Sequence, residues 1–114
     1  MRRNAITTSA LAVVMAARGY PGVPLRGTRI FGIEEAERVE GVSVLIAAVR
    51  EKGDEMIAEG GRVLAVTALG RDVTEACERA YAAVDRINWS GGFCRRDIGW
   101  RAVAREAESL LRDR

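Results

Sequence analysis

Gly60-Gly61-Arg62 is the stretch whose residue types and spacing could do chemistry. Glycine lets backbone N–H groups approach a ligand closely, and arginine offers a planar fork of donors suited to a phosphate or carboxylate. The three residues could therefore hold an anion. They could equally form a tight turn with a surface arginine at a strand end, and both readings stand on the residues alone. The pattern is no Walker A loop, which needs GxxxxGK[ST], and no GxGxxG opens a helix. Arg95-Arg96-Asp97 could bind an acidic group; the structural reading is favoured, with Asp97 capping a helix and the arginines in water. Glu34, Glu35 and Glu37 share a solvated segment and show no base or metal role.

Composition excludes other chemistry. Histidine is absent, which removes imidazole acid–base catalysis, His-containing triads and the usual zinc sites. Cys77 and Cys94 have no metal-ligand spacing. The net charge of +2 is too small to imply a polyanion partner. Of 18 cations only Lys52 is lysine, but the arginines do not cluster with aromatics, so no nucleic-acid partner is expected. The apolar run Ala10–Ala17 is far too short to span a bilayer. With its basic start it loosely mimics a signal peptide, but it runs directly into Gly-Tyr-Pro-Gly and reads as a strand. No membrane partner and a cytoplasmic location are expected.

The elements that must position these residues follow from periodicity. At 114 residues the chain argues for one domain, expected over residues 7–114 with a fraying start at 1–6. Thr7–Ala17 reads as a buried strand closed by Gly19-Tyr20-Pro21-Gly22. Arg29–Gly32 is a short strand at best, and Ile33–Val39 a helical turn or loop. Val42–Val49 reads as a second strand. A hairpin turn at Glu51–Asp54 leads to a return strand over Glu55–Glu59. Arg62–Leu69 is uncharged on both faces beyond its first residue, which predicts a strand covered on both sides. Asp72 with Glu75 three residues later marks a helix start. Val73, Ala76, Cys77, Ala80, Tyr81, Val84 and Ile87 then recur at helical spacing, ending near Asn88. Trp100, Val103, Ala104, Ala107, Leu110 and Leu111 form a second stripe. Tyr81 and Trp100 read as core. Strands followed by two helices predict an α+β fold.

Three ordered stretches carry a resemblance to a known family. They are Val14-Met15-Ala16-Ala17-Arg18-Gly19-Tyr20-Pro21-Gly22, then Gly60-Gly61-Arg62-Val63-Leu64-Ala65-Val66-Thr67-Ala68-Leu69-Gly70, then Phe93-Cys94-Arg95-Arg96-Asp97-Ile98-Gly99-Trp100-Arg101-Ala102. The helix between the last two, with Glu75-Ala76, Arg79-Ala80-Tyr81 and Ala83, fits as well. Together they resemble the C-terminal domain of the phosphoribosylamine–glycine ligases, or glycinamide ribonucleotide synthetases, from about Ala10 to about Arg105. The resemblance implies a small barrel-like or antiparallel sheet with two C-terminal helices, packed beside an ATP-grasp core. It implies an accessory role in purine biosynthesis: closing the substrate site while ATP activates glycine for attack by phosphoribosylamine. Arg62, with Gly60 and Gly61, becomes a candidate for the substrate's phosphate, and Gly19 and Tyr20 are placed near the same cleft. The partners implied are the ATP-grasp core, phosphoribosylamine and glycine. ATP and magnesium are expected only in that core, so this chain alone is not expected to catalyse the ligation. The alternative is a free-standing binding or structural module that has lost the ligase chemistry.

The chain departs from the family pattern at named positions. Arg18 stands where glycine is usual, and Ile46-Ala47-Ala48-Val49 where His-Ala-Gly-Thr is usual. Glu59 precedes the glycine pair in place of Asn, Ser or Thr. An acid beside a phosphate site opposes anion binding.

Overall fold

The computed structural model describes residues 8–94, 101 and 103–105. The proposed fraying start, the Arg95-Arg96-Asp97 cluster and most of the second helical stripe, Trp100 included, lie outside the described residues. Two long strands form the frame: β1 (Ser9–Ala17) and an antiparallel partner over Arg62–Gly70. Between them come β2 (Arg29–Ile30), α1 (Ile33–Glu37), β3 (Val42–Ile46), β4 (Val49–Lys52) and β5 (Glu55–Ala58). The Arg62–Gly70 strand is β6; α2 (Val73–Arg86) and β7 (Gly92–Phe93) follow it. One sheet has the order β3-β6-β1-β7 and the other β2-β5-β4, with every pairing antiparallel. Both sheets are open rather than closed into a barrel. The fold is α+β, as the order of elements predicts.

The expected single strand over Val42–Val49 is two strands in two sheets. The break falls at Ala47 and Ala48, whose N–H groups both donate to the Val63 carbonyl, at 2.9 and 3.3 Å. Val63 sits where the β1–β6 register slips, with Met15 opposite Leu64 but Ala16 opposite Arg62. A β-bulge of this kind bends its strand. The break lets the chain step from one sheet to the other, and no change in apolar periodicity announces it.

α2 begins where the sequence places it. The Asp72 carboxylate accepts from the Glu75 N–H at 2.8 Å, and the Glu75 carboxylate accepts from the Arg71 N–H at 2.8 Å. These bonds satisfy helix-end donors that have no intrahelical partner. The buried side of α2 is mostly small, with Ala76, Cys77, Ala80 and Ala83 fully enclosed and Tyr81 and Val84 nearly so. It packs on the face of the larger sheet that carries Val13, Met15, Leu64, Val66 and Ala68. Burying one Val, Leu or Met there contributes about 1.5–3 kcal/mol.

The opposite face corrects the reading of β6. Register aligns Ala10 with Leu69, Ala12 with Thr67 and Val14 with Ala65, while β3 adds Ser43 and Leu45. Val14, Leu45 and Leu69 are 46%, 59% and 50% exposed. Among the described residues, β6 is covered by a helix on one face only. Absence of charge alone does not show that both faces of a strand are covered.

Candidate functional site

Three turns converge at the end of the larger sheet. The first, Arg18–Gly22, leaves β1 through Gly19, whose φ of +98° is a left-handed conformation that glycine adopts freely. It is closed by the Leu25 N–H donating to the Arg18 carbonyl at 2.8 Å. The second is Gly60–Arg62, tied to the first by the Ala17 N–H donating to the Gly61 carbonyl at 2.7 Å. The Tyr20 ring lies over Gly61 so closely that a methyl group there would overlap it. Close approach, rather than φ, is thus what requires glycine at position 61. The third turn, Ser90–Gly92, leads into β7, which pairs Gly92 with Ala17 and Phe93 with Ala16.

Arg18 joins the first turn to the third. Its N–H donates to the Gly91 carbonyl at 2.9 Å, and its Nε donates to the Ser90 carbonyl at 3.1 Å. The third turn is anchored by Trp89, 6% exposed, whose indole N–H donates to the Thr28 hydroxyl at 2.7 Å. Gly19, Tyr20, Gly60, Gly61 and Arg62, named from the sequence, are therefore brought together. Arg18 and the Trp89–Gly92 segment belong to the same cluster and were missed as site residues. Arg18 had drawn notice only as a departure, and Ser90-Gly91-Gly92 reads merely as a loop. The bond joining them spans 72 residues, and no local pattern signals it.

Arg62 is exposed and, among the described residues, has no carboxylate partner. Glu59, three residues before it and just after β5, is bound instead to Arg50 of β4, with the Arg50 Nε donating to Glu59 Oε1 at 2.7 Å. The acid that would oppose an anion is thereby partly neutralised. Beside the turns, an apolar groove of about 380 Å³ runs along β1, lined by Leu11, Val14, Tyr20, Pro21, Tyr81 and Phe93 among others. Its lining suits apolar side chains, not a sugar phosphate.

A small antiparallel α+β domain, with a basic glycine-lined turn cluster at one end and one apolar sheet face open, is the class these features define. The chain belongs to the family described as phosphoribosylglycinamide synthetase, C domain, whose model matches residues 10–101. It is 59% identical over 101 residues to a phosphoribosylamine–glycine ligase of Mesorhizobium japonicum, covering 89% of this chain and 24% of that protein. It is 56% identical over 97 residues to the chloroplastic ligase of the same name from Arabidopsis thaliana, covering 83% of this chain and 18% of that protein. The crystal structure of the phosphoribosylamine–glycine ligase of Thermotoga maritima superposes with a TM-score of 0.67 at 35% identity, over 77% of this chain and 21% of that one. The chain thus spans a quarter or less of the length of these relatives. No helix among the described residues is long and apolar enough to cross a membrane.

Proposed function

We propose that this chain is the substrate-site-closing domain of an ATP-dependent ligase that joins glycine to phosphoribosylamine in purine biosynthesis. The observation that supports the reading is the convergence of three turns at the end of the larger sheet, where β6 begins at Arg62, an exposed cation with no carboxylate partner among the described residues. Arg62 holds the substrate's phosphate by charge-assisted hydrogen bonds. Gly60 and Gly61 let the backbone come close, Tyr20 fixes the Gly61 turn from above, and Arg18 fixes the Arg18–Gly22 turn against Ser90–Gly92. The domain binds and orients; bond making falls to an ATP-grasp core. ATP and magnesium are assigned to that core by the family resemblance, and no chemical step is assigned to this chain. The work is placed in the cytoplasm, and the two thiols fit a reducing compartment.

The test is reconstitution. The chain is mixed with the Mesorhizobium japonicum ligase lacking its own matching segment, and ADP release dependent on both glycine and phosphoribosylamine is followed. Activity in the mixture, absent from either part, is expected. A folded chain that leaves a competent core inactive contradicts the reading.

A further inference from the structure

Arg18 is a second exposed cation at the turn cluster. Like Arg62, it forms no ion pair among the described residues. The backbone holds the two close. Arg62 stands opposite Ala16, and the Ala17 N–H donates to the Gly61 carbonyl at 2.7 Å. Arg18 lies two residues beyond Ala16, which in paired strands is a diagonal spacing of about 7–8 Å that long side chains bridge. Like charges so placed repel, and Glu59, the acid nearest to Arg62 in sequence, is taken by Arg50. Arg18 is also only partly used. Its Nε donates to the Ser90 carbonyl, and its two Nη groups have no partner among the described residues. Between the two arginines, the N–H groups of Gly60 and Gly61 likewise have no acceptor among the described residues. Backbone donors of this kind seek a partner.

We propose that Arg18 and Arg62 together form a two-guanidinium site for the phosphate of a phosphate monoester, with Arg18 a ligand as well as a brace for the Ser90–Gly92 turn. The proposal rests on the function proposed above and adds a ligand and a charge preference to it. Glycine is the usual residue at position 18 in the family pattern, so the second ligand is a property of this chain. A phosphate monoester carries nearly two negative charges at neutral pH, because its second pKa is about 6. One guanidinium matches one of them, and two match both. The Nε bond to Ser90 orients Arg18 before a ligand arrives, so less side-chain freedom is lost on binding. The site therefore favours a phosphate dianion over a singly charged phosphate ester, and neutralising either arginine removes the preference.

The site is tested by NMR titration of the full chain, followed at the arginine Nε–H signals. Ribose 5-phosphate is the doubly charged probe and dimethyl phosphate the singly charged one, at a pH above about 7. The variants are Arg18→Gln and Arg62→Gln, with a thermal melt to check that each folds. Arg38→Gln, exposed at the end of α1, serves as control. The expected result is a Kd for ribose 5-phosphate weakened about tenfold by each site variant and unchanged by the control. The wild-type chain is expected to bind ribose 5-phosphate at least about tenfold more tightly than dimethyl phosphate. Wild-type affinity in Arg18→Gln, with Arg62→Gln weakened, overturns the inference and leaves the proposed function standing. Equal affinity of the wild-type chain for the two probes also overturns it, and that comparison needs no variant to fold. No saturable shift at either arginine overturns the inference and the role of Arg62 with it, while reconstituted ligation decides separately whether the chain serves the enzyme.

Discussion

Arg62 keeps its positive charge available because Glu59, the acid nearest to it in sequence, is held by Arg50 on the neighbouring strand. On the proposed function, replacing Arg62 by alanine removes charge-assisted hydrogen bonds to the substrate's phosphate worth about 1.5–3 kcal/mol. In the reconstituted ligase the expected outcome is a KM for phosphoribosylamine raised about tenfold to a hundredfold, with melting temperature unchanged because the side chain is exposed. Steady-state kinetics with a thermal melt checks both. Gly61→Ala meets the Tyr20 ring and is expected to destabilise the fold by about 1–3 kcal/mol. Combining it with Tyr20→Ala should recover part of that loss, and a double-mutant cycle in urea measures the coupling. The glycine pair and Arg62 were legible as a candidate site from residue type alone. Arg18 was not, because its role depends on two backbone carbonyls that only tertiary folding delivers.

At the scale of elements, α2 is the part most fully written in local sequence. Asp72 and Glu75 set its start, and small apolar residues at helical spacing set its buried side. Asp72→Ala is expected to cost about 1 kcal/mol, read by chemical denaturation. The Arg71 backbone N–H, with the Arg71 and Arg79 guanidinium groups beside it, holds the Glu75 carboxyl below its ordinary value of 4.5. A carboxyl lowered in the folded state stabilises the fold above the unfolded value, and that gain is lost as pH falls. The stability difference between wild type and Glu75→Gln should therefore be present at neutral pH and shrink as pH drops below 4.5; melts across that range check it. On the same helix, burial pushes the Cys77 thiol up from its ordinary value, so alkylation of Cys77 is expected only on unfolding, as mass spectrometry of labelled peptides would show. The strand boundaries were less legible. The step from β3 to β4 depends on a bulge in β6, a partner distant in sequence, while Ala47 and Ala48 look like any strand interior.

At the scale of the whole molecule, the sequence marks an apolar strand but not what lies against it. β6 reads as buried on both faces from its lack of charge, whereas among the described residues a helix covers one face only. The same limit applies to the site. Turn chemistry is local, but a cleft needs a second wall, and the relatives are long enough to supply one. The central claim is that this chain can do the work of the C-terminal domain in a phosphoribosylamine–glycine ligase. The most direct measurement is the ligation rate of a chimera, in which residues 10–101 replace the matching segment of the Mesorhizobium japonicum ligase. The expected result is a soluble enzyme whose kcat lies within about tenfold of its parent, and whose KM for phosphoribosylamine rises when Arg62→Ala is added. A folded chimera that binds ATP as its parent does, yet makes no glycinamide product, would contradict the claim.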